Sequence, residues 1–169
     1  MSIRPAERAD LPTIVAIYNA SIPGRMATAD TAPVSVADRE AWFAEFDPRH
    51  RPLWVWSGEP AEAPSAWLSM RSFYGRPAYH ATVEVAVYTD PAARRQGRAK
   101  ALLEHALRAA PDLRIKTLLA FVFGHNQPSL ALFEAFGFAR FGLLPKVAEL
   151  DGLERDLAIL GRRVEPPVR

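Results

Sequence analysis

A chain of 169 residues with 49% hydrophobic content fits one globular domain with a sizeable core. A net charge of +2 without a block of Lys and Arg offers no stripe for nucleic acid, and the lack of Cys excludes disulfides, thiol nucleophiles and thiolate metal sites. No apolar run approaches the ~20 residues of a membrane helix, and Met1–Pro5 opens no apolar export segment, so a cytoplasmic protein without a membrane partner is expected.

Ile3–Pro5 reads as a short opening strand. Asp10 is the expected N-cap of a first helix, with Pro12 in its first turn and Leu11, Ile14, Val15 and Tyr18 on one face. Ser21–Gly24 stops it, and a loop runs on to Val34. Ser35 and Asp38 open a second helix that turns Trp42, Phe43 and Phe46 inward. Leu53–Trp56 and Ala66–Phe73, joined by a turn at Gly58–Pro64, form an antiparallel pair. Tyr74–Pro77 interrupts the chain before a strand from His80 to Thr89, which Asp90 and Pro91 end.

The next helix spans Ala99–Ala110, buries Leu102, Leu103, Ala106 and Leu107, and stops at Pro111. Lys116–Phe123 is almost continuously apolar, as in a strand covered on both faces. Asn126 caps a short helix with Pro128 in its first turn, and Gly137 closes it. Phe138–Leu144 and Glu154–Leu160 flank a turn at Asp151 and Gly152. Residues 1–163 read as a single domain and 164–169, with Pro166 and Pro167, as a flexible tail. The order gives an α/β fold whose mixed sheet has one parallel crossover between its two central strands.

Chemistry concentrates at two places. Arg94, Arg95, Gln96, Gly97, Arg98 and Ala99 form a small-residue turn between a strand and a helix, with Lys100 just inside. Such a turn aims unpaired backbone N–H groups outward at the positive end of the helix dipole, which suits a phosphate or pyrophosphate. The plainer reading is a solvated basic helix start. Glu84 is the second place, since a carboxylate inside a central strand is costly unless it meets water or a site. Alternation puts Val83, Val85 and Val87 on one face and Thr82, Glu84, Ala86 and Tyr88 on the other. Glu84 is then either a solvated carboxylate on an open face or a general base for an amine that arrives as ammonium.

Arg94, Gly97 and Ala99 match the Arg/Gln-x-x-Gly-x-Gly/Ala pyrophosphate loop of the GNAT acyltransferases. Asn126, Ser129, Phe133 and the pair Gly137 and Phe138 match the second motif of that superfamily, one strand downstream. The chain therefore resembles a GNAT N-acetyltransferase over nearly its whole length. Its Ile17–Asn19, Phe73–Arg76, Thr82–Glu84, Val87 and Tyr88 are similar to the phosphinothricin acetyltransferase-like subgroup.

The resemblance implies a mostly antiparallel central sheet flanked by helices. Its central strand is expected to carry a bulge and splay from its neighbour. Acetyl-CoA enters that gap, its pantetheine arm pairing with Val85 and Val87 and its pyrophosphate resting on residues 94–100. Asn126 and Ser129 complete the cofactor site, and Phe133 is either core or packing for the pantetheine arm. Glu84 serves as base, the Val87 N–H steadies the oxyanion, and transfer is direct because no Cys is present for a covalent relay. Many relatives offer a Tyr as general acid where this chain has Phe133, which leaves Tyr88 or a water to supply a proton.

For the substrate, Tyr18 and Asn19 end the first helix, and Arg71, Tyr74, Arg76, Tyr79 and His80 precede the Glu84 strand. A pair of guanidinium groups suits a small amino-acid-like amine of the phosphinothricin, methionine sulfone or methionine sulfoximine type. Each of these residues reads equally as part of an ordinary solvated loop. The final hairpin lacks the His that phosphinothricin enzymes carry there. The His residues show no metal spacing, and a homodimer through the terminal strands is the family expectation. A protein or peptide amine acetyltransferase and a silent acyl-CoA-binding module are the alternatives.

Overall fold

The computed structural model describes residues 2–59 and 62–164. Its strands are β1 (Ser2–Pro5), β2 (Leu53–Ser57), β3 (Ala66–Ser72), β4 (Thr82–Thr89), β5 (Thr117–Phe123), β6 (Ala139–Leu150) and β7 (Leu153–Arg163). The helices are α1 (Leu11–Ser21), α2 (Glu40–Ala44), α3 (Arg98–Ala109) and α4 (Gln127–Ala135). One sheet runs in the order β1-β2-β3-β4-β5-β7-β6. Every neighbouring pair is antiparallel except β4 and β5, which lie parallel across the α3 crossover.

Two clusters of apolar side chains, one on each face, hold the sheet. On the first face Leu68, Met70, Val83 and Val85 meet Leu102, Leu103 and Ala106 of α3. The α3 sequence is rich in Ala, Leu, Arg and Lys, all strong helix formers, and burying Leu102 and Leu103 contributes roughly 1.5–3 kcal/mol each. On the second face Ile14 and Ile17 of α1 pack on Val55 and Trp67, with Tyr18, Trp42 and Tyr88 at the margin. Covered on both sides, β3 is buried at every position from Ala66 to Met70 and shows no alternation.

Several local expectations change. Asp10 does not cap α1 with its side chain. Its carboxylate accepts the Glu7 N–H at 2.8 Å and both Arg4 nitrogens at 2.7 and 2.9 Å, closing a capping box on a 3-10 turn that precedes the helix. The second helix shrinks to a 3-10 turn followed by the short α2, although Ser35 and Asp38 do form the expected box. β4 begins at Thr82 because Pro77–Tyr79 forms a further 3-10 turn.

β6 and β7 outrun the predicted strands. Lys146 enters the left-handed region at φ 53° beside Pro145, and a register shift between Leu144 and Ala148 absorbs the break. The expected bulge in β4 is absent: its pairing with β3 runs without a shift from Ala66 opposite Thr89 to Ser72 opposite Val83. Val164 still donates to the Lys116 carbonyl at 3.0 Å. The Pro166–Pro167 tail and part of the Gly58–Pro64 turn lie outside the described residues. No helix among the described residues is long and apolar enough to cross a membrane.

Candidate active site

β4 and β5 pair only from Thr82 opposite Thr117 to Glu84 opposite Leu119, and then part. The Thr82 carbonyl accepts from Phe73 on the β3 side at 3.3 Å. Backbone direction alternates along a strand, so Val83, Val85 and Val87 aim their N–H and C=O groups toward β5. The last rung, Glu84 opposite Leu119, is closed by the Val85 N–H, and from the Val85 carbonyl onward no ladder meets them. The Val85 carbonyl and both backbone groups of Val87 therefore present an unpaired strand edge inside the sheet, the surface that β-augmentation uses.

At the open end, the Asp90 carboxylate accepts the Ala92 N–H at 2.8 Å and caps a 3-10 turn over Pro91–Ala93. Arg95 at φ 61° and Gly97 at φ 75° then turn the chain through the left-handed region into α3. A Cβ on Gly97 would meet nothing within 4 Å, so backbone torsion alone requires Gly there. The amides of Arg98, Ala99 and Lys100 lie in the first helical turn and have no intrahelical acceptor. Arg94, Arg95, Gln96 and Lys100 are exposed. Arg98 differs, because its guanidinium stacks on the Trp56 ring of β2 at 4.3 Å and donates to Gln96 Oε1 at 2.8 Å. It braces the turn against the sheet and offers an anion its backbone amide.

Glu84 projects from the opposite face of β4. It stands across from Arg71 of β3, beside a cavity of 180 Å³ walled by Tyr18, Trp42, Trp67 and Tyr88, with Ser69 and Arg39 also lining it. Burial raises its pKa, and the nearby Arg71 charge only partly opposes that. A carboxylate so placed binds a proton more readily than a solvated Glu, as a base poised toward neutrality does. Arg71 is held outward by Glu45, at 2.9 and 3.1 Å. Arg39 lies 4.6 Å from the Tyr18 ring and 5.6 Å from the Trp42 ring, with Asp30 at 3.2 Å. Trp67 donates to the Ile14 carbonyl at 3.1 Å, locking α1 over the cavity.

The substrate residues expected from sequence divide. Tyr18 and Arg71 line the cavity. Asn19 does not: its amide bonds the Val34 backbone twice, at 2.8 and 3.0 Å, and staples the α1–α2 connection. Tyr74, Arg76, Tyr79 and His80 are also outside its lining. The left-handed pair Tyr74 and Gly75 and the Pro77–Tyr79 turn carry them into solvent, Tyr74 being 77% exposed and in contact with the rings of Phe73 and Tyr79. Arg39, Trp42, Trp67 and Ser69 were missed. Counting back by twos from Arg71 reaches Ser69 and Trp67, a signal the strand pattern already held.

On the cofactor side, Asn126 Oδ1 accepts the Ser129 N–H at 3.2 Å and Nδ2 donates to the Met26 carbonyl at 2.9 Å. Of the two readings of Phe133, core or pantetheine packing, the structure favours core. The residue is 3% exposed within the first apolar cluster, edge-on to Phe138 at 5.0 Å, and presents no surface to a ligand. Tyr88 stacks on Trp67 at 4.6 Å and donates its hydroxyl to the Ala27 carbonyl at 3.0 Å. Desolvation, with lesser help from neighbouring Tyr18, raises its pKa well above the usual phenol value and keeps the proton in place.

Sequence and fold are both similar to those of known proteins. The profile of the acetyltransferase (GNAT) family matches residues 14–138. Bacillus subtilis YwnH, provisionally named a phosphinothricin acetyltransferase, is 52% identical over 97% of this chain and 99% of its own length. The L-methionine sulfoximine/L-methionine sulfone acetyltransferase of Pseudomonas aeruginosa is 30% identical over 98% of this chain and 95% of its own. The solved structure of a GNAT superfamily phosphinothricin acetyltransferase from Sinorhizobium meliloti in complex with AcCoA is 29% identical, with a TM-score of 0.89 over 96% of this chain and 88% of that one. The chain belongs to the acetyltransferase (GNAT) family.

Proposed function

We propose that the protein transfers the acetyl group of acetyl-CoA directly to the primary amine of a small amino-acid-like substrate. Phosphinothricin, methionine sulfone and methionine sulfoximine represent the class. The observation that carries this reading is the position of Glu84. It stands at the last paired residue before β4 parts from β5, with its side chain beside the aromatic cavity. An amine in that cavity lies next to a base whose proton affinity is already raised.

Acetyl-CoA supplies an activated acetyl group as a thioester. The free edge at Val85 and Val87 binds its arm, and the amides and cations of residues 94–100 bind its pyrophosphate. Glu84 takes a proton from the substrate ammonium, directly or through a water, which frees the nitrogen lone pair. As the C–N bond forms and the C–S bond breaks, the Val87 N–H steadies the charge on the carbonyl oxygen. The thiolate leaves with the electron pair of the broken bond, and the second proton that the acylated nitrogen sheds passes to water. Arg39 and Arg71 hold the carboxylate and any second acidic group of the substrate, Arg71 by exchanging its Glu45 partner. The matched relatives named for methionine sulfoximine, methionine sulfone and phosphinothricin support this substrate class.

A pair of subunits in the cytoplasm completes the reading. The β6–β7 hairpin exposes Phe141, Leu144, Val147 and Leu153, an apolar surface that a second copy would cover. Thiol release from acetyl-CoA with a panel of amino-acid analogues tests the function. Turnover with one or more of the three analogues is expected. Binding of acetyl-CoA without thiol release for any amine would leave a silent acyl-CoA-binding module and end the proposal.

A further inference from the structure

The α1–α2 connection has no regular structure around Met26, yet three of its successive carbonyls are gripped by side chains from elsewhere. His125 Nε2 lies 2.7 Å from the Arg25 carbonyl and carries the proton there. Asn126 Nδ2 donates to the Met26 carbonyl at 2.9 Å, and the Tyr88 hydroxyl donates to the Ala27 carbonyl at 3.0 Å. Tyr88 is the penultimate residue of β4, while His125 and Asn126 directly follow β5 and its turn. The donors thus come from the two strands that part. Their acceptors are adjacent peptides, within ~7 Å of one another along the chain. This clasp joins β4 and β5 at the open end of a gap whose closed end is the short ladder finishing at Glu84 and Leu119.

Other contacts hold the clasp still. The Tyr18 hydroxyl bonds Thr28 Oγ1 at 2.5 Å and the Asp30 carboxylate, which Arg39 also meets at 3.2 Å. Arg25 reaches Asp151 at the tip of the β6–β7 hairpin at 2.9 Å. Asn126 is engaged at both ends of its amide, and the single phenolic proton of Tyr88 is given to Ala27.

We propose that Tyr88, Asn126 and His125 are positioning residues that set the width of the β4–β5 gap, and with it the fit of the thioester arm, by gripping the carbonyls of Arg25, Met26 and Ala27. The inference rests on reading that gap as the acetyl-CoA site. Tyr88 then acts through the backbone and gives no proton to the leaving group. A thiol of pKa near ~8.5 departs as thiolate without one.

Two conservative variants test this. Tyr88→Phe keeps the ring on Trp67 and loses the bond to Ala27. Asn126→Asp keeps the oxygen that caps Ser129 and turns the donor to Met26 into an acceptor. Acetyl-CoA Kd by calorimetry and KM for each substrate are measured below the melting transition of each protein. One hydrogen bond is worth about three- to tenfold in affinity. Each variant is expected to weaken acetyl-CoA by about that factor with kcat nearly kept. The double variant is no worse than the weaker single one, because either loss opens the same clasp. Unchanged acetyl-CoA affinity in both single variants, or losses that multiply in the double, overturns the proposal. A fall in kcat for Tyr88→Phe at unchanged acetyl-CoA KM, with loss of the alkaline limb of the pH profile, overturns it too and makes the phenol a proton donor. Failure of the unaltered protein to bind acetyl-CoA defeats the site reading itself, whereas tight binding with indifferent variants defeats only the clasp.

Discussion

Replacing Glu84 with Gln is expected to lower activity and raise stability together. The catalytic loss follows from removing a positioned general base, a contribution of about 10²–10⁴ in kcat, or roughly 2.7–5.4 kcal/mol at ~1.36 kcal/mol per decade. The stability gain follows from the raised pKa, which arises from burial that the Arg71 charge offsets only in part. A carboxylate with a folded pKa above its unfolded value binds protons more tightly in the folded state. Its ionisation therefore costs stability progressively as pH rises from about 4.3, the unfolded value, through the folded one. Gln removes that cost, so the variant gains stability at pH 7.5 and the gain vanishes below pH of about 4. For a chain of this length each kcal/mol reads as about 2–4 °C in Tm. Thiol-release kinetics and calorimetric melting at the two pH values measure both effects. The residual rate should climb about tenfold per pH unit below the amine pKa, because the amine must then lose its proton unaided. Unaltered turnover, or a Tm lowered at pH 7.5 relative to the unsubstituted protein, refutes the reasoning.

Three further outcomes follow from the same geometry. Gly97→Ala puts a Cβ at φ 75° with open space around it, so only backbone strain acts; ~1–2 kcal/mol should appear as a lowered urea midpoint and weaker acetyl-CoA binding. Arg98→Ala should lower stability by about 0.5–1 kcal/mol through loss of the stack on Trp56 and weaken acetyl-CoA less than Arg94→Ala does, as titration calorimetry of both would show. Phe133→Ala should cost about 3–5 kcal/mol in urea unfolding, since the ring is core, while acetyl-CoA affinity measured on the folded protein stays close to the original.

The strand–turn–helix unit from Thr82 to Ala109 was legible because every signal for it is local. Strand alternation, Asp90 and Pro91 as a stop, a glycine at a left-handed torsion and an amphipathic helix follow one another within a single stretch of chain. The cavity beside Glu84 was legible only in part. Its walls come from α1, the turn before α2, α2 itself, β3 and β4; helical spacing turns Trp42 inward, but Arg39 joins the lining through packing that no spacing rule encodes. Nearness in sequence misled for Tyr74, Arg76, Tyr79 and His80, since two left-handed residues and a proline redirect the chain away from the strand that follows. Asn126 was visible as a cap through its place before Pro128. Its bond to Met26, a hundred positions earlier, was not.

The brief parallel register between β4 and β5 gives the two edges of one strand different fates. Glu84, Ala86 and Tyr88 bond into the sheet on the β3 side, so the strand keeps its rigidity without help. The Val85 carbonyl and Val87 stay open on the other side, already aligned before any guest arrives. Backbone ordering is thereby completed during folding, and little of it remains to be charged against affinity when a partner strand slots in.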